Sequence, residues 1–196
     1  MPAPPTRIPR RALGLGLAAA VAGCASPNPR LYTIAVVPGP SFPRSPKIVL
    51  LRELSIARYL ERTQIVASSE DYRLDVRAND WWGEPLSAML GRVLVQELGD
   101  RLPASAVYGE NGAVTTEPDA TVELNIERMD ENAAGQLVLI AQAGIVRSGP
   151  VRIADARRSF HIVVTPSGSD IPAQVAATSA AVGQLADGLA AMLASA

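Results

Sequence analysis

The chain is poor in the residues that most catalytic and metal chemistries need: its 196 residues include one cysteine, Cys24, and one histidine, His161. An intramolecular disulfide is excluded outright, and a histidine-based zinc site would need cysteines that the rest of the chain lacks. There is no Gly-x-Ser-x-Gly nucleophile elbow and no glycine-rich phosphate loop. Carboxylate pairs such as Glu123 and Glu127 fall on one face of a predicted strand and read as a solvated face. Blocks of like charge and repeats of 20–50 residues are also missing. The expectation is a chain without catalytic residues, metal or cofactor.

What is present begins at the N-terminus. Arg7, Arg10 and Arg11 precede the small and apolar run from Ala12 to Ala20, then Val21-Ala22-Gly23-Cys24. A basic region followed by an apolar stretch too short to span a bilayer is a secretory signal peptide. Its end resembles the lipobox of bacterial lipoproteins, which implies removal of residues 1–23 and lipidation of Cys24. Several acyl chains, at about 0.8 kcal/mol per buried CH₂, anchor a protein stably without spanning. Ala25 stands where an aspartate would signal inner-membrane retention, so the resemblance implies the periplasmic face of the outer membrane. With the three arginines of the signal gone, fifteen basic side chains face 19 acidic ones, a charge of −4. Such a domain is a poor electrostatic partner for nucleic acid or anionic headgroups.

Residues 24–46 carry Pro27, Pro29, Pro38, Pro40, Pro43 and Pro46 and read as a tether, with an edge strand over 31–37. Extended at about 3.3 Å per residue, twenty residues of it would reach roughly 60 Å. Residues 47–196 then form one domain. Leu86, Met89, Leu90, Val93, Leu94, Leu98 and Leu102 recur in steps of three and four and predict a helix with one buried face. Pro85 suits its first turn, Glu84 its N-cap neighbourhood, and Pro103 its end. A second, alanine-rich helix starts at Asp170, with Val175, Thr178, Val182, Leu185, Leu189 and Leu193 as its stripe. Gly183 and Gly188 weaken it by about 1 kcal/mol each relative to alanine.

Short apolar or alternating runs predict strands at 48–51, 64–67, 72–77, 104–108, 121–127, 137–146 and 159–164, and Ser55 is placed to cap a single helical turn. The 64–67 and 72–77 strands make a hairpin. Together they predict an α+β sandwich: one largely antiparallel mixed sheet against two main helices.

The block Tyr59-Leu60-Glu61-Arg62-Thr63-Gln64-Ile65-Val66, followed by Trp82-Gly83-Glu84-Pro85-Leu86, resembles the pattern "eYLdrpqIV … WaEPL" of the ABC-type transport auxiliary lipoproteins, the PqiC-like family. Thr63 stands where that family usually has proline and Gly83 where it often has alanine; neither change removes a chemical group. The resemblance implies a noncatalytic lipoprotein serving an ABC- or MCE-type system that moves lipids between membranes. Its partners would be MCE-type or ABC-transporter subunits in the periplasm, the membrane through the anchor, and further copies of itself. Adjacent tryptophans in an extended segment point to opposite sides, and polar-edged aromatics are enriched in interfaces. Tyr59, Trp81, Trp82 and Glu84 are therefore the candidate contact residues, with Trp82 expected in the core. Two other readings remain at this point: a periplasmic carrier of lipid or a small molecule, and a lipoprotein activator of a cell-wall enzyme.

Overall fold

The computed structural model describes residues 28–52, 54–112, 116–148 and 156–195. Cys24 and the segment read as a signal peptide lie outside these. The order of elements is β1 (Arg30–Tyr32), β2 (Ile48–Leu51), β3 (Ser55–Ile56), β4 (Gln64–Ser68), β5 (Asp75–Trp82), α1 (Leu86–Arg101), β6 (Ala106–Gly109), β7 (Ala120–Glu131), β8 (Leu137–Arg147), β9 (Ala156–Val164) and α2 (Ile171–Ser195). They form one α+β domain with an open, mixed sheet covered by both helices, as the sequence pattern predicts.

The spine of the sheet is β7. One of its edges carries β8 and then β9 in long antiparallel ladders. Its other edge takes β2, β3 and β4 in succession, all parallel to it. Beyond them lie β6 beside β2, and β5 then β1 beside β4. The long ladders are thus antiparallel and the short ones mostly parallel. Among the side-chain ties that hold the β2–β4 stretch on β7, three join residues 71 apart. Asp119 Oδ2 accepts from the Ile48 N–H at 2.9 Å, Arg52 donates to Glu123 at 2.7 Å, and the Tyr59 hydroxyl donates to Asp130 at 2.6 Å.

Both predicted helices form where periodicity put them. All seven apolar positions from Leu86 to Leu102 are buried, and so are all six of the α2 stripe. Fully burying one such Leu or Val side chain stabilises by about 1.5–3 kcal/mol. Asp170 caps α2, its Oδ1 accepting from the Ala173 N–H at 3.0 Å. Arg147 reaches the other end and donates to the Leu193 carbonyl at 2.7 Å, a cation at the negative end of the helix dipole.

Local expectations differ at three places. Pro85 is itself the N-cap of α1, while the Glu84 carboxylate pairs with Arg92 at 2.6 Å instead of serving the helix end. Ser55 lies in β3 rather than capping a turn; the single 3₁₀ turn at Arg58–Leu60 follows Ala57 and has no side-chain cap. Tyr72 and Leu74 are exposed, because Asp71 and Tyr72 form a turn with positive φ and β5 starts only at Asp75. The alternation there is that of a turn followed by a strand.

Within the stretch read as tether, residues 33–42 lie across the helix pair as a strap. Ile34 is buried, and its N–H donates to Met89 Sδ at 3.3 Å. Ala35 N–H donates to Ser179 Oγ at 3.1 Å, Val37 N–H to Glu97 Oε1 at 2.8 Å, and Phe42 N–H to the Arg101 carbonyl at 2.7 Å. Pro38 and Pro40 bring no N–H that would need a partner in a segment with no ladder. Beneath the strap Arg101, 1% exposed, donates to Asp187 at 2.6 Å and to the carbonyls of Val37 and Gly183, each at 3.1 Å. A Cβ on Gly39 would overlap the Arg101 guanidinium and the Asp187 carboxylate, so only glycine lets the strap close over this pair.

Gly188 has a packing reason of the same kind: a Cβ there would overlap the Phe160 ring of β9. Gly188→Ala is therefore expected to forgo the gain of about 1 kcal/mol that helix propensity alone would give. Gly188→Leu should lose about 1–3 kcal/mol through overpacking, both read by urea unfolding. Glu97 supplies a pH test. Burial pushes its carboxyl pKa up from 4.5, more than the Val37 N–H and Arg101 pull it down. Above 4.5 the unfolded chain has released a proton that the folded chain still holds, so this group's contribution falls as pH rises. Glu97→Gln keeps an acceptor for Val37 and should remove that fall, so unfolding from about pH 4 upward shows a flatter profile than wild type.

Candidate functional site

The blocks that carry the family resemblance lie side by side at the β4–β5 end of the sheet. After β3, Ala57 N–H donates to the Ile126 carbonyl at 2.8 Å and brings the 3₁₀ turn against β7. Leu60, Ile65 and Val66 enter the core, while Tyr59 lies half-buried over the bulge between Ile126 and Arg128. Its hydroxyl donates to Asp130, which is fully buried. Arg128 donates to the other Asp130 oxygen at 3.0 Å and to Glu70 at 2.6 Å. Burial first, and then Asp130, pushes the Tyr59 phenol well up, so it remains a donor. This cluster neutralises a buried carboxylate from two sides and turns its donors inward.

Trp81 and Trp82 end β5 and do point to opposite sides. Trp82 is 7% exposed and in the core; its N–H donates to the Thr63 carbonyl at 2.7 Å. Trp81 is half-buried, its indole N–H donating to the Ala78 carbonyl at 2.9 Å. Parallel to it runs β1, with Leu31 beside Trp81 and Arg30 beside Asp80. Arg30 grips the buried Asp80 carboxylate through two nitrogens, at 2.8 and 3.0 Å. Leu31 stays 65% exposed. Of the four candidate contact residues, then, Tyr59 and Trp82 are committed to the domain's interior, Glu84 to a surface pair with Arg92, and Trp81 faces outward beside Leu31. Cys24 lies outside the described residues.

The sequence reading missed the polar groups under the strap. The signal was available: Met89, Val93, Glu97 and Arg101 lie four apart, so Glu97 and Arg101 continue an apolar ridge onto the buried face. On the sheet face away from the helices, Arg52, Glu123, Gln142 and Ser159 help line a shallow depression of about 650 Å³. It is open and charged, whereas a groove of about 460 Å³ between α1 and β2 is lined largely by apolar residues, Leu51, Leu54 and Val95 among them. Among the described residues, no cluster of His, Cys, Asp and Glu is placed to hold a metal, and no helix is long and apolar enough to cross a membrane.

The class defined by this geometry is a single α+β domain whose mixed sheet is backed by two helices on one face and open on the other. Residues 32–190 match the family model of the ABC-type transport auxiliary lipoprotein component, and the chain belongs to that family. The same fold is seen in the crystal structure of XCC0632 from Xanthomonas campestris, a DUF330 protein (TM-score 0.67, 22% identity, covering 84% of this chain and 94% of that one). It is seen again in a crystal structure described only as that of an uncharacterized protein (TM-score 0.68, 17% identity, 84% and 98%). A PelC dodecamer from Paraburkholderia phytofirmans is more distant, at a TM-score of 0.40 and 12% identity over 81% of this chain and 98% of that one. No curated protein matches the chain.

Removing the Tyr59 hydroxyl leaves buried Asp130 short of a donor. Tyr59→Phe should destabilise the domain by about 1–3 kcal/mol in urea unfolding, with the fold retained by circular dichroism.

Proposed function

We propose that this chain is a noncatalytic lipoprotein of the outer membrane, anchored through Cys24, that docks the periplasmic part of an ABC- or MCE-type lipid transport system. The observation that carries the reading is family membership over residues 32–190, nearly the whole domain. The geometry agrees with a docking role. The helix-covered face carries the apolar core, and the ionisable groups of the two inward clusters are tied to one another and to backbone. What the domain offers outward is surface: the open face of β7 to β9 and the outer edge of β9, which among the described residues pairs only with β8. Val163, 43% exposed on β9, lies at that edge. An unpaired strand edge is a ready template for another chain. A carrier of lipid would need an enclosed apolar cavity of several hundred Å³, whereas the depression on the open face is shallow and charged, and the more apolar groove of about 460 Å³ between α1 and β2 is not enclosed.

The test is a pull-down of the acylated protein from solubilised envelopes, with co-purified proteins and lipids read by mass spectrometry. Stoichiometric recovery of an MCE-type or ABC-transporter subunit is expected, diminished by Val163→Asp at unchanged stability. Stoichiometric lipid without a protein partner would replace docking by cargo carriage.

A further inference from the structure

The strap changes how far the domain can stand from its anchor. Because the chain is bonded to the domain from Arg30 onward, only five residues, and so six Cα-to-Cα steps, separate Cys24 from the first strand. Fully extended they span about 20 Å, not the roughly 60 Å of a free tether. A domain of this size has a radius of gyration of about 15 Å. The leash is therefore shorter than the domain is wide, and the side bearing β1 is the side held to the membrane.

That side carries an unpartnered apolar pair. Leu31, 65% exposed, and Trp81 are register partners on β1 and β5. They lie on the face opposite Tyr32 and Trp82, which pack on the core. The charges beside them are already matched: Arg30 is paired bidentately with Asp80. An aliphatic side chain next to an indole, flanked by a neutralised ion pair, suits the boundary between headgroups and acyl chains, where tryptophan is enriched.

We infer that the outer face of β1, through Leu31 and Trp81, rests on the lipid surface that holds the anchor. The inference rests on lipidation of Cys24. It turns β9, at the opposite end of the strand row β1-β5-β4-β7-β8-β9, away from the membrane and towards the periplasm. The contact is apolar, so it needs no anionic lipid and persists in salt.

The experiment uses the mature acylated chain in vesicles of phosphatidylethanolamine and phosphatidylglycerol that contain a phosphatidylcholine with a shallow nitroxide quencher. Intact mass first establishes the acyl chains on Cys24; their absence would bring down the anchor reading and this inference with it. Trp81 and Trp82 are the only tryptophans, and buried Trp82 serves as the internal reference. The expected result is loss of the Trp81 share of emission to the quencher. That loss should be unchanged by salt, abolished in Trp81→Phe and reduced in Leu31→Asp. If the acyl mass is present and the quencher leaves emission unchanged, the seat is wrong. An emission shift that follows protein concentration without lipid would likewise overturn it in favour of a second copy covering the face.

Discussion

A cation that is almost completely buried must find partners for its donors, and Arg101 finds them on three separate parts of the chain. Asp187 and the Gly183 carbonyl come from α2, the Val37 carbonyl from the strap, and the Glu97 carbonyl, at 3.2 Å, from α1 itself. A shift of any one of these segments would leave a buried guanidinium short of a partner, which is costly, so none of them moves freely alone. The helix pair gains a fixed crossing and the strap a fixed path. Glu97, one turn earlier, holds the strap from the same helix through the Val37 N–H. From this cluster follow the path of the strap over the helices and the glycine at 39.

The second inward cluster, around Asp130, does for the sheet what Arg101 does for the helices. Tyr59 ties the 3₁₀ turn to β7, and Arg128 ties β7 to Glu70 beyond β4. The family block from Tyr59 to Val66 is thus largely a device for seating β4 on the spine. Its chemistry is spent on structure. Surface remains for function at the two ends of the strand row and on the open face of β7 to β9.

Much of this was legible in the sequence. The helices and the antiparallel ladders repeat their apolar residues at 3.6 and 2, and Val122, Leu124 and Ile126 alternate with Glu123, Asn125 and Glu127 as a half-exposed strand should. That Trp81 and Trp82 point to opposite faces follows from the pleat, with Trp82 the one expected in the core. The strap was not legible, because most of its bonds go to side chains and leave no periodicity. Glu97 and Arg101 are charged residues on a buried ridge, and residue type alone assigns them to the surface. The role of Glu84 was misjudged because the reach of Arg92, two turns on, competes with the helix end for the same carboxylate.

The three ties that join residues 71 apart also govern the order in which the molecule can assemble. For a chain that emerges N-terminus first, β2 and β3 arrive long before the strand they lie against. The β4–β5 hairpin and α1 are local and can form early, but the sheet cannot close until β7 has appeared and pairing has crossed that long gap. β2 can pair with β6 before then, but the edge that it presents to β7 stays open. Such a domain condenses late and all at once, and the interval before it does so is when it needs shelter from aggregation.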